Sequence, residues 1–222
     1  MHTGCRFASV VFDVDSTLVA IEGVDWLSDR RGPAVADAVR QLTSDAMAGL
    51  VRLDDVYRRR LELIAPGPAD IAALGEAYVD AVAPGAPDLL ARLRAHHVEV
   101  FLVSGGIRDA ILPLARSFGL QDARVHAVSL TADARGRFTS AAPSPLAAAG
   151  GKLTVVAGLG LARPALAVGD GITDLEMRPA VDAFAAFTGF ARRPAVVTRA
   201  DAEFVDFSAL STWIFGEEVP WR

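Results

Sequence analysis

The chain carries a single cysteine, Cys5, which rules out an internal disulfide. Its four histidines, His2, His96, His97 and His126, form no spaced cluster with Cys5 that resembles a zinc site. No apolar run is long enough to cross a bilayer without charges. The apolar segment that follows residues 1–6 is interrupted by Asp13 and Asp15, unlike the core of a secretory leader. An excess of positive charge is also missing. With a net charge of -5, the surface repels phosphate backbones and anionic lipid at long range. There is no internal repeat and no low-complexity linker. These absences exclude a disulfide scaffold, a membrane span and a nucleic-acid or membrane binder. They lead to the expectation of a cytoplasmic protein, monomer or homodimer, acting on a small molecule.

What is present is an ordinary globular balance of 52% hydrophobic and 22% charged residues in 222. That length allows one core with a smaller appended unit. Three short apolar runs, residues 7–12 (F-A-S-V-V-F), 98–103 (V-E-V-F-L-V) and 165–168 (A-L-A-V), read as buried strands. Each runs into a polar turn and then a helical pattern, which predicts a parallel sheet with all three turns at one end. From Gly23 to about Val82 the apolar residues recur at helical spacing, broken at Pro66, Gly67 and Pro68 and ended at Pro84 and Gly85. The expected fold is a doubly wound α/β core, residues 1–16 and 85–222, with a helical-bundle cap inserted at 17–84. A β-hairpin is expected over 128–131 and 137–139.

The three turns carry the chemistry. Asp13 and Asp15 follow the first strand, and a period of two predicts that their carboxylates lie side by side. Such a pair calls for a shared cation or proton, and hard oxygen ligands favour magnesium. The third turn, Gly169 to Asp174, adds Asp170 and Asp174, with Gly169 and Gly171 read as sites of positive φ or close ligand approach. Ser104, Gly105 and Gly106 are expected to open a helix at Ile107 and to offer N–H groups and a hydroxyl to an anion. Lys152 follows Gly150 and Gly151 at another helix start, where lysine opposes the helix dipole and so serves something else. Taken singly, each feature is also a common structural device: a solvated pair, a helix cap for Asp174, a strand–helix turn. Their order and placement together describe a magnesium-phosphate site.

The motifs F-D-V-D-S-T, L-V-S-G-G, G-G-K and V-G-D-G-I-T-D resemble the four motifs of the haloacid dehalogenase-like phosphatases. More narrowly, the chain resembles the phosphoserine phosphatases within that group. The resemblance runs from about Val10 to Phe207. It implies Asp13 as nucleophile and Asp15 as the acid and base. It implies Mg2+ held by the Asp13 side chain, the Asp15 carbonyl and Asp170, with Asp174 orienting the metal site or Lys152. Ser104, Gly105, Gly106, Lys152 and Thr173 would hold the phosphate. In the insert, Glu22 (E-G-V-D) would receive a substrate amino group, Met47 and Ala48 (A-M-A-G) would cover the substrate, and Arg60 (R-L-E-L-I) would bind its carboxylate. The chain departs from the family at residues 50–53 (L-V-R-L), where a proline and phenylalanine are usual, and at 187–190 (F-T-G-F), where a G-x-G-G segment is usual. It is also too short for a regulatory amino-acid-binding domain.

Other readings fit less well. A receiver domain would carry its acceptor aspartate where this chain has Ser104. A nucleotide P-loop lacks its leading glycine before Lys152 and has Leu153 after it. A dinucleotide fold lacks the third glycine after Gly158 and Gly160. Two competitors share the chemistry: a phosphatase for another small ester, such as phosphoethanolamine or a sugar phosphate, and a phosphotransferase that uses phosphoserine as donor.

Overall fold

A computed structural model describes residues 4–47 and 53–216. In chain order, β1 (Ser9–Phe12) is followed by four helices, α1 (Gly23–Arg30), α2 (Pro33–Met47), α3 (Leu53–Ile64) and α4 (Pro68–Asp80). Then come α5 (Ala86–Ala95), β2 (Glu99–Ile107), α6 (Arg108–Ser117), β3 (Val125–Val128) and a hairpin of β4 (Leu130–Ala132) and β5 (Phe138–Ala141). The chain continues with α7 (Gly151–Gly158), β6 (Ala165–Gly169), α8 (Ile172–Leu175), β7 (Ala183–Phe187), α9 (Pro194–Val197), β8 (Ala202–Phe204) and α10 (Phe207–Ile214).

Six strands form one sheet in the order β3-β2-β1-β6-β7-β8, and every pairing is parallel. The apolar runs are continuous because both faces are covered. Val10, Phe12, Leu102, Leu166 and Val168 join one apolar cluster, with residues of α5, α6, α10 and the inserted helices. Val11, Phe101, Val103 and Ala167 alternate to the other face and meet α7, α8 and α9. From β1 the chain builds outward through β2 and β3 on one side, and from β6 through β7 and β8 on the other. The order therefore reverses between β1 and β6. A crevice opens there at the carboxyl ends of the strands, where ligands bind in sheets of this kind.

The four helices α1–α4 sit on that crevice. Their entry and exit are bonded to each other, with the Ala20 N–H donating to Ala81 O and the Ala83 N–H to Leu18 O, both at 2.9 Å. Helix α4 lies so close to α6 that a Cβ on Gly75 would come within 3.2 Å of Pro113. On the opposite side the Phe138 N–H of β5 donates to Pro66 O at 2.8 Å.

Three expectations are corrected. The run 98–103 extends through Ser104, Gly105 and Gly106 to Ile107, so α6 starts only at Arg108 and the helix-start cradle is not formed. The register with β3 shifts between Val103 and Ile107, and this irregularity absorbs the glycines within the strand. Val128 belongs to β3 of the main sheet, and the hairpin lies further along, at β4 and β5. The ladder of β1 ends at Phe12. The period of two does not extend to Asp15, and the two aspartates take different partners.

Candidate active site

Asp13 leaves β1 beside Asp170, which follows β6, because the two strands are hydrogen-bonded neighbours in register. Asp13, Asp170 and Asp174 are all buried. Each can offer one carboxylate oxygen such that these atoms lie within 4.8 Å of one another. Lys152, at the start of α7 and 8% exposed, points its ammonium into this group. Its Nζ donates to Asp13 Oδ1 at 2.6 Å and to Asp174 Oδ1 at 2.5 Å. Gly150 supports this turn at φ +71°. Gly151 is required by close approach, since a Cβ there would fall 1.9 Å from Pro145 O.

Asp174 does two things at once. Oδ1 meets Lys152, and Oδ2 accepts the Gly171 N–H at 2.8 Å as the cap of α8. Neither Gly169 nor Gly171 takes a positive φ, contrary to the sequence reading. Gly169 is needed because a Cβ would lie 2.4 Å from Asp174.

Burial first, and then the Asp174 charge, push the Asp13 carboxyl well above the usual range against the pull of Lys152. Burial works against the Lys152 ammonium, but the Asp13 and Asp174 charges outweigh it and raise its pKa. Three buried carboxylates face one buried ammonium. At the rim the Arg193 guanidinium pairs with Asp170 without hydrogen-bond geometry, and Asp170 Oδ2 is buried and accepts no hydrogen bond. An all-oxygen donor set with surplus negative charge fits a hard divalent cation.

Asp15 turns the other way, toward the inserted helices. Its Oδ1 accepts the Gly23 N–H and the Tyr78 hydroxyl, both at 2.7 Å, and its Oδ2 meets Ser104 Oγ at 3.3 Å. Its carboxylate is absent from the acidic cluster, which leaves only its main-chain carbonyl for a cation. Burial raises its pKa, and the Tyr78 hydrogen bond partly offsets this. Ser16 holds φ +53°, a left-handed conformation that costs a non-glycine residue about 1 kcal/mol. Its hydroxyl donates to Glu22 Oε1 at 2.7 Å. Ser104 Oγ also accepts the Gly106 N–H at 2.9 Å, so that N–H is not free for an anion. A Cβ on Gly106 would meet Asp15 Oδ2 at 2.7 Å.

A cavity of about 360 Å³ joins these groups to the insert. Asp13, Asp15, Ser104, Gly105, Gly106, Lys152, Asp170, Thr173 and Asp174 line one side, and Glu22, Tyr57 and Arg60 the other. Glu22 is open to water within the cavity, yet the surrounding walls, and then the Asp15 charge, raise its carboxyl. Arg60 pairs through a terminal nitrogen with Asp25. The side chain of Met47, and Ala48 entirely, lie outside the described residues. Sequence reasoning missed Tyr57, Tyr78 and Arg193 at this site. Tyr78 was legible only as a helical apolar position, and Arg193 lies beyond the last motif. The available signal for Tyr57 was its place three residues before Arg60 on one helix.

The haloacid dehalogenase-like hydrolase family model matches residues 10–178. The phosphoserine phosphatase of Bos taurus is 34% identical over 210 residues, covering 93% of this chain and 92% of that one. A phosphoserine phosphohydrolase-like protein from Francisella tularensis superposes with a TM-score of 0.82 at 22% identity, covering 93% and 99% of the two chains. A phospho-aspartyl intermediate analogue of phosphoserine phosphatase superposes with a TM-score of 0.76 at 24% identity, covering 94% and 99%. The chain belongs to the haloacid dehalogenase-like hydrolases. Among the described residues no helix is long and apolar enough to cross a membrane.

Proposed function

We propose that this protein is a phosphoserine phosphatase, hydrolysing O-phospho-L-serine to serine and phosphate through a phosphorylated Asp13. The observation that carries the reading is one cavity with a lysine-anchored carboxylate cluster on one side and Glu22 with Arg60 on the other. An acid for the ammonium and an arginine for the carboxylate match an amino-acid zwitterion. The name of the Bos taurus relative points the same way. In this reading residues 1–16 and 85–222 hold the phosphate, and residues 17–84 recognise the leaving group.

An Asp13 carboxylate oxygen attacks phosphorus and the ester P–O bond breaks. Asp15, whose carboxyl is raised by burial, acts as the acid that gives a proton to the leaving alkoxide. Oδ2, which faces the Ser104 hydroxyl at 3.3 Å, is the oxygen placed to carry that proton, because Oδ1 already accepts from Tyr78 and Gly23. In the second half Asp15 takes a proton from water as the water attacks the aspartyl phosphate, releasing phosphate and restoring Asp13. Lys152 keeps Asp13 oriented and offsets charge on the transferring group. The Asp13 and Asp170 carboxylates would hold Mg2+, with the Asp15 carbonyl as the family resemblance implies, and the ion would supply charge neutralisation on the phosphoryl oxygens.

The test is phosphate release from L-phosphoserine beside phosphoethanolamine, sugar phosphates and an aryl phosphate, repeated with Glu22→Gln and Arg60→Ala. Both variants are expected to lose phosphoserine turnover far more than aryl phosphate turnover. Equal losses on both substrates would contradict the amino-acid pocket. Serine formed only when an acceptor alcohol is added, with a phosphorylated alcohol in place of free phosphate, would favour the phosphotransferase instead.

A further inference from the structure

The chain has two tyrosines, and both hydroxyls lie in the field of Asp15. Tyr78 is fully buried and its hydroxyl is satisfied by Asp15 Oδ1. Tyr57 is different. Its ring, on α3, packs against the apolar cluster on the α7 side of the sheet, and its hydroxyl oxygen is buried with no hydrogen-bond partner among the described residues. Three residues further along the same helix face, Arg60 leaves its Nε buried and equally unpartnered. Both residues line the cavity that Glu22 also lines.

A buried polar atom without a partner is costly, and native structures rarely keep one. Two such donors on one wall of one cavity are satisfied when an acceptor fills it. Among the described residues, the carboxylates of Asp15 and Asp25 already have partners. Asp15 Oδ1 accepts two donors, Asp15 Oδ2 meets Ser104, and Asp25 pairs with Arg60. Burial, and then the Asp15 charge, hold the Tyr57 phenol far above its ordinary value, so it stays a neutral donor. A donor beside an arginine selects the anionic end of a zwitterion, not its ammonium.

We propose that Tyr57 is a specificity-determining residue that donates a hydrogen bond to the carboxylate of a phosphorylated amino acid, sharing that group with Arg60. The inference rests on the amino-acid reading above and adds a residue that the sequence motifs do not contain. It predicts that carboxylate selectivity drops when the hydroxyl alone is removed.

Tyr57→Phe keeps the ring and its packing. The experiment compares L-phosphoserine with phosphoethanolamine, which lacks only the carboxylate, for the unmodified enzyme and the variant. The loss of a hydrogen bond to a charged group is expected to raise KM for phosphoserine about tenfold. On the same physical basis kcat, and both constants for phosphoethanolamine, should stay within about twofold. Calorimetric binding of the product L-serine gives a readout independent of turnover, with about tenfold weaker binding expected. A variant that keeps the selectivity of the unmodified enzyme, or loses both substrates equally, overturns the assignment of Tyr57 while leaving the amino-acid reading intact. An unmodified enzyme with no preference for phosphoserine over phosphoethanolamine overturns that reading, and this inference with it.

Discussion

The two walls of the cavity are built on opposite plans. At the sheet edge Lys152 bridges Asp13 and Asp174, Asp174 also caps α8, and the buried oxygen left unmet there, Asp170 Oδ2, is an acceptor facing the acidic cluster. On the insert side, Tyr57 and Arg60 keep buried donors without partners among the described residues. The sheet-edge wall is pre-organised before any ligand arrives, as phosphoryl transfer demands, because most of its catalysis is positioning and charge. The insert wall is completed by the ligand, as discrimination demands, because an unmet donor penalises a substrate lacking the matching acceptor. Asp15 stands between them, with its carboxylate held mainly from the insert.

Three substitutions, with falling effect, would break or sharpen this contrast. Lys152→Met strikes the sheet-edge wall. It leaves two buried carboxylates without their cation, a loss of about 3–5 kcal/mol for a buried pair broken on one side. Urea unfolding should show that loss, and turnover should fall alike on phosphoserine and on an aryl phosphate. Selective loss of phosphoserine turnover would put Lys152 on the wrong wall.

Tyr78→Phe strikes the link between the walls. Asp15 would lose one of the two donors on Oδ1, with kcat expected to fall about tenfold and KM to stay within about twofold. A change in KM alone would mean that Tyr78 acts on binding and does not position Asp15.

The smallest effect lies in the frame of the insert. Asp70 caps α4 through the Gly67 N–H at 2.8 Å and pairs with Arg31. Burial works to raise its carboxyl, but the Gly67 N–H and Arg31 outweigh it and hold the pKa below the ordinary value. A carboxylate with a depressed folded pKa stabilises above its unfolded pKa of about 3.9, and that stability disappears as pH falls through the folded value. Asp70→Asn should therefore cost about 1 kcal/mol at neutral pH, the usual worth of such a cap. The gap between variant and unmodified protein should close in acid, as measured by urea midpoints across pH. A gap that persists in acid would mean that the charge is not the source.

The same contrast explains what could be read from the sequence. β1, β2 and β6 are continuous apolar runs ending in polar turns, so the strands and the residues just beyond them, Asp13, Ser104 and Asp170, were legible together. β7, A-F-A-A-F, has no β-branched residue, β3, V-H-A-V, is interrupted by His126, and β8 is only three residues long. The paired facing of Asp13 and Asp15 failed because periodicity holds only while the ladder lasts. In the insert, Glu22 and Arg60 were reached by resemblance alone. Tyr57 and Tyr78 were not reached, since 3.6-residue spacing places a side chain on a helix face without saying what lies opposite.

The most direct test of the account is to quench the enzyme in acid during turnover of phosphate-labelled L-phosphoserine with magnesium and map the label. The account predicts a hydroxylamine-sensitive acyl phosphate on the peptide that contains Asp13. Label on another residue, or turnover at full rate with no labelled enzyme in Asp13→Asn, would contradict it.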